Sequence, residues 1–269
     1  MKRRTRAALF VLGTLAALAL IAPWITPYSH DFLDWQHLAS PPQLADSHWL
    51  GTDRLGRDLF ARSMQAMRVS LLIGVLGALV SVCIGVAWGA TAGYLGGRVD
   101  AAMMRFVDIV YALPYVFIVI ILSTLFPRGS IAALFIAIGA VGWLTMARIV
   151  RGQTLSLRRR EFIDAAIASG VTTPAILWRH IVPNVAGPVI AYATLTIPQM
   201  ILYESFLSFL GLGVQEPFAS LGSLINEGAQ EMESSAWMLL VPATLLTVLL
   251  VAFNLLGDGL RATLESRDE

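Results

Sequence analysis

The chain has 269 residues, of which 57% are hydrophobic and only 14% charged, with a formal net charge of +1. Soluble domains carry about 25% charged residues, so the composition excludes that class. The single cysteine, Cys83, excludes an intramolecular disulfide and a thiolate metal cluster.

Apolar runs cover residues 7–25, 69–92, 105–126, 131–147, 186–210 and 237–257. Each approaches the roughly 20 residues that cross a hydrocarbon core about 30 Å thick. Backbone groups in such a core must pair within their own segment, so the runs predict about six transmembrane helices in an all-α polytopic protein. Gly85, Gly89, Pro114 and Pro198 lie inside runs and Gly93 at the end of one, where membranes tolerate them and small residues permit close helix contact. The first run follows Lys2, Arg3, Arg4 and Arg6, as a secretory signal would. A small-residue cleavage site near Ala17–Ala19 would fall inside it, so a retained anchor is expected.

Basic residues set the orientation. Placing both termini in the cytoplasm puts fourteen of the nineteen basic residues there, including Arg98, Arg105, Arg148, Arg151, Arg158, Arg159, Arg160, Arg179, Arg261 and Arg267. Arg54, Arg57, Arg62, Arg68 and Arg128 fall outside. The expected organisation is an anchor and external segment over 1–68, a transmembrane core over 69–260 with a cytoplasmic loop at 151–185, and a tail over 261–269. Within the external segment, 58–68 is amphipathic and predicts a helix lying on the membrane surface. His30, His37 and His48 lie at spacings that match no common metal motif, and read as solvated.

The loop at 151–185 carries the most information. After Arg158-Arg159-Arg160, residues 158–169 fit a helix with Phe162, Ala165, Ala166 and Ser169 on one face. Gly170 supplies a C-terminal stop. Thr173-Pro174 reads as an N-cap and a first helical proline, opening a second helix that ends at Ile181-Val182-Pro183. Two short helices hinged at Gly170 result, with small side chains at Ala165 and Ala166 that let another surface approach. The chain's sole lysine is Lys2, so a phosphate-cradling GxxxxGK[ST] loop cannot be built here, and any ATP that drives the protein binds elsewhere.

This loop resembles the "EAA" motif of bacterial ABC importer permeases, in which Glu-Ala-Ala is followed by Gly four residues on and Pro thirteen further. Asp164-Ala165-Ala166, Gly170 and Pro183 hold those positions, with Asp replacing the usual Glu. The stretches from His48 to Asp58, Glu204 to Gly213 and Phe253 to Arg261 look like signatures of the C-type permease of the dipeptide/oligopeptide group. The resemblance implies a type I ABC importer permease fold and a non-catalytic subunit whose loop, through Glu161, Asp164, Ala165, Ala166, Gly170 and Pro183, couples to separate ATPases. It implies a heterodimer with a B-type permease, two ATPase subunits that carry ATP and Mg, a solute-binding protein outside, and residence in the bacterial inner membrane. It implies no cofactor or metal on this chain and no nucleic-acid partner. Peptide cargo is expected; nickel, glutathione or antimicrobial peptides are alternatives within the same architecture, and a stand-alone secondary transporter is an alternative outside it. Glu204, in an apolar run, either lines the solute path or is a hydrogen-bonded carboxylate at a helix interface. Asp108 is expected in the first turn of the third span, where a helix N-terminus favours negative charge.

Overall fold

The computed structural model describes residues 3–125 and 131–265; Lys2, Arg128 and Arg267, used above for orientation, lie outside the described residues. The described residues form ten α-helices: α1 (Arg3–Ile25), α2 (Leu59–Leu95), α3 (Gly97–Ala112), α4 (Tyr115–Thr124), α5 (Ile131–Leu157), α6 (Glu161–Ala168), α7 (Thr173–Ile176), α8 (Val182–Phe209), α9 (Leu221–Gln230) and α10 (Trp237–Glu265). A π-helical turn, Leu177–Ile181, joins α7 to α8. Among the described residues, Arg3–Ile25, Leu59–Leu95, Thr173–Phe209 and Trp237–Thr263 are long and apolar enough to cross a membrane. The protein is therefore a multi-pass, helical membrane protein.

The third predicted span departs from expectation. Proline disfavours the α conformation in the residue before it, and Leu113, before Pro114, is extended at φ −78° and ψ 138°. The run is thereby split into α3 and α4. Asp108 consequently lies late in α3 rather than in a first turn, and accepts a hydrogen bond from Arg148 of α5 at 2.8 Å. Asp100 occupies the first turn of α3 and is gripped by Arg151 through two bonds of 2.5 and 2.6 Å.

Helix α2 is the spine of the molecule, with 37 residues and a length of about 55 Å at 1.5 Å per residue. It packs along α5, α8 and α1. Gly85, Gly89 and Gly93 recur every four residues on the face that meets α5. A Cβ at Gly85 would sit 2.6 Å from Met146 Cβ, and one at Gly93 2.8 Å from the Arg151 carbonyl oxygen. Small residues at this spacing bring two backbones together where lipid supplies no hydrophobic drive.

The amphipathic stretch 58–68 is not a surface helix. It forms the first turns of α2, with Leu59 and residues 61–67 all buried, beneath a cap built from residues 26–58 and 210–236. The expected boundary between residues 68 and 69 therefore falls inside one continuous helix. The cap closes one end of α2. The α6–α7 elbow closes the other, packed against Tyr94.

Candidate functional site

The elbow is built from local signals that the fold completes. Glu161 and Asp164 lie in the first turn of α6, where the helix dipole favours carboxylates, and both are exposed. The helix ends with Gly170 at φ +76°, a conformation glycine adopts without Cβ strain. The Gly170 N–H donates to the Ile167 carbonyl at 2.9 Å and the Val171 N–H to the Ala166 carbonyl at 3.1 Å, the paired bonds of a Schellman cap. Beneath, Ile163 and Ala166 pack with Ile176, Ile181, Val185 and Val189, against Val86 and Ala90 of α2 and Met146 and Val150 of α5.

Three expectations for this loop require correction. Ala166 is turned inward with Ile163 and is buried, so it belongs to the elbow's core rather than to a contact surface. Ala165 is exposed, with Glu161 and Phe162 at i−4 and i−3 on its side of the helix, while Ile167 is exposed on the other side. The second helix is capped by Thr172, one residue earlier than expected, with Thr173 as its first helical residue and Pro174 its second. Pro183 does not end that helix. A proline lacks an N–H and crowds the carbonyl four residues back. Here the preceding turn widens to π geometry, with the Val182 N–H bonded to the Leu177 carbonyl, and helix runs on into α8. The Asn184 side-chain amide donates to the His180 carbonyl at 2.6 Å. The wide turn projects Trp178 outward, 65% exposed. The exposed surface of the elbow thus carries Ala165 with the carboxylates of Glu161 and Asp164, and Phe162, Ile167 and Trp178 around them.

Glu204 sits near the far end of α8 and has 0% relative exposure. Its carboxylate accepts hydrogen bonds from Ser208 Oγ at 2.6 Å and Ser70 Oγ at 3.1 Å. The same hydroxyls are contacted by the backbone N–H groups of Val214 and Leu221, each at 3.2 Å. Glu204 therefore knits α2, α8 and the entry to α9 together. A solute does not reach it in this conformation, so of its two readings the geometry meets the hydrogen-bonded carboxylate and not the path-lining one.

The cap is where reading the sequence missed most. His48 is fully buried, not solvated. Its Nδ1 donates to Asp58 Oδ2 at 2.9 Å, and Asp58 Oδ1 accepts the Ala61 N–H at 2.7 Å as N-cap of α2. Asp53 accepts the Leu55 and Arg57 N–H groups at 2.8 and 3.0 Å and is bonded by the side chains of both Arg57 and Arg62. Arg57 reaches Glu216 at 2.7 Å, and Arg62 grips Glu227 of α9 at 2.7 and 3.0 Å. The hydrogen bond from Arg57 holds the Glu216 carboxyl below the usual carboxylate range. Gly56, at φ +78°, lets the chain pass against the backbone of Asp34, whose N–H donates to its carbonyl at 3.2 Å. The stretch from His48 to Asp58 is thus a buried lock of charge pairs and turns. Its signal was present in the sequence as Gly51-Thr52-Asp53 and Gly56-Arg57-Asp58, but the partners at 216 and 227 were not deducible.

A family model described as binding-protein-dependent transport system inner membrane component matches residues 85–267. The chain is 51% identical over 266 residues to the oligopeptide transport system permease protein OppC of Escherichia coli, covering 99% of this chain and 88% of that protein. It is 48% identical over 262 residues to the OppC of Haemophilus influenzae, covering 97% and 84%. The dipeptide transport system permease protein DppC of Bacillus subtilis is 44% identical over 264 residues, with 97% and 81% covered. Among solved structures, a chain of the inward-facing MetNI methionine ABC transporter superposes with a TM-score of 0.57 at 19% identity, covering 82% of this chain and 99% of that chain. That last likeness concerns the fold alone.

Proposed function

The chain belongs to the family of binding-protein-dependent transport system inner membrane components, and from that premise we propose that it is the C-type permease subunit of an ATP-driven importer of di- and oligopeptides. The names of its relatives favour peptide cargo over nickel, glutathione or antimicrobial peptides. It forms half of a translocation pathway with a B-type permease in the bacterial inner membrane. Two separate ATPase subunits bind ATP and Mg and carry out hydrolysis, while a solute-binding protein delivers peptide at the cap. Both termini and the elbow lie on the ATPase side.

The observation that carries this reading is the elbow. Its outer surface presents small, apolar and carboxylate side chains, and its inner face is locked onto α2, α5 and α8. A rigid piece transmits a push; a loose loop absorbs it. Because α7, the π turn and α8 are continuous from Thr173 to Phe209, displacement at the elbow travels along one rod to the Glu204 serine cage beside α9. An ATPase closing on the elbow would move the cap end of the pathway through that rod.

The test is reconstitution. Proteoliposomes that contain this chain, its companion permease and the ATPases should accumulate labelled tripeptide only with ATP and binding protein supplied. Accumulation by this chain alone, driven by an ion gradient, would overturn the proposal in favour of a secondary transporter.

A further inference from the structure

We propose that the cap holds a zinc-class divalent cation between Asp34, His37 and His48. The ligand atoms of these three residues lie within 4.8 Å of one another. Asp34 Oδ2 stands 2.9 Å from His37 Nδ1 and 3.5 Å from His48 Nε2. Donors around a tetrahedral zinc at about 2.1 Å are separated by about 3.4 Å, so small rotations of these rings bring the set onto an ion. Two imidazoles and one carboxylate form a donor set suited to zinc and its neighbours in the transition series rather than to calcium or magnesium.

The outer atoms of the ligands are held as metal ligands usually are. A ligating histidine almost always donates its other ring N–H to a carboxylate, carbonyl or water, which fixes tautomer and ring direction. His48 Nδ1 has Asp58 at 2.9 Å, and His37 Nε2 has Asp46 at 3.3 Å. Asp34 Oδ1 accepts the Gln36 N–H at 3.0 Å, which leaves Oδ2 directed at the two rings. The His48 ring is clamped further by Tyr28, stacked at 4.2 Å between centroids. The site is built and still open, because Asp34 and His37 keep 19% and 25% side-chain exposure for entry and a fourth, water ligand.

An ion here would join the turn at residues 34–37 to His48, and through Asp58 to the N-terminus of α2. The cation would act as a staple for the cap, independent of the peptide pathway. Its effect is a gain in cap stability, since an ion that binds only the folded site favours folding.

The test uses the full chain in detergent, with any polyhistidine tag removed and zinc alone as the probe. One equivalent should be retained with micromolar or tighter affinity, and zinc should raise the melting temperature. X-ray absorption should report two imidazole nitrogens near 2.0–2.1 Å. His37→Ala and Asp34→Asn should each weaken binding at least tenfold, and Asp46→Asn by about tenfold, as outer-shell partners do. His37 is part-exposed, so its variant should melt as wild type does without zinc. Failure of the wild-type chain to retain zinc, or retention by His37→Ala equal to wild type, would overturn the site.

Discussion

Substituting Ala165→Arg is expected to abolish ATP-driven uptake while leaving the protein inserted, assembled and as stable as before. Ala165 is exposed on the outer face of α6, so a larger side chain there meets no other part of this chain. Surface changes of this kind usually alter stability by less than about 0.5 kcal/mol. A guanidinium beside Phe162 on this exposed surface would hold a docking partner away and bury charge at the contact. Loss of a central interface residue costs roughly 2 kcal/mol or more, so uptake should fall about thirtyfold or further, while hydrolysis by the ATPases loses its dependence on substrate. The neighbouring Ala166→Arg should behave differently. Ala166 is buried against Ile163 and Ile176, so that variant should lose the folded elbow and accumulate poorly. Gly170→Pro should also break the elbow. Its backbone φ of +76° is closed to proline, and the Gly170 N–H bond to Ile167 disappears. Wild-type uptake by Ala165→Arg would remove the elbow from the coupling route.

The second large effect belongs to the cap. Arg62→Ala is expected to destabilise the chain by about 3–5 kcal/mol, because removing one member of a buried charge network leaves the others uncompensated. Arg62 is 3% exposed and joins Asp53 in the cap to Glu227 on α9. Without it, Asp53 keeps one guanidinium, that of Arg57, beside its two backbone N–H bonds, and Glu227 loses its paired bonds and retains the more distant Arg57 at 3.6 Å. The apparent melting temperature in detergent should drop by about 10 °C or more. Arg62→Lys should rescue part of the loss, since an ammonium keeps the charge but cannot form both bonds to Glu227 in one plane. A melting temperature unchanged by Arg62→Ala would show that the network contributes little.

These two regions also show what a sequence discloses and what it withholds. The elbow was legible because its signals are local. Gly170 stops a helix, Thr-Pro starts one, and both act within a few residues. The inward face of α6 was misread, because grouping Phe162, Ala165, Ala166 and Ser169 put exposed residues with a buried one. The carboxylates of Glu161 and Asp164, three residues apart, mark the solvent side, and Ile163 and Ala166 opposite them pack onto Ile176 and Ile181. Pro183 misled for a related reason. A proline normally breaks a helix, but a π turn upstream removed the clash, and such a turn leaves no mark in hydropathy. In the cap, charge misled. Arg62 has the look of a solvated or interfacial residue until Glu227, 165 positions away, is placed beside it. His48 reads as a loop histidine until Asp58 and Tyr28 enclose it. Long-range satisfaction of buried polar groups is the property least visible in a linear chain.

The central claim is that the α6–α7 elbow meets the ATPases while the cap meets the outside of the membrane, and one cross-linking measurement tests both halves. A photoactivatable residue is placed at Ile167 on the elbow or at Trp35 on the cap, both exposed, in the assembled importer within native membranes. The account predicts that Ile167 captures an ATPase subunit, and that Trp35 never does and instead captures the solute-binding protein. Capture of an ATPase from Trp35, or its absence from Ile167 in an active complex, would contradict it.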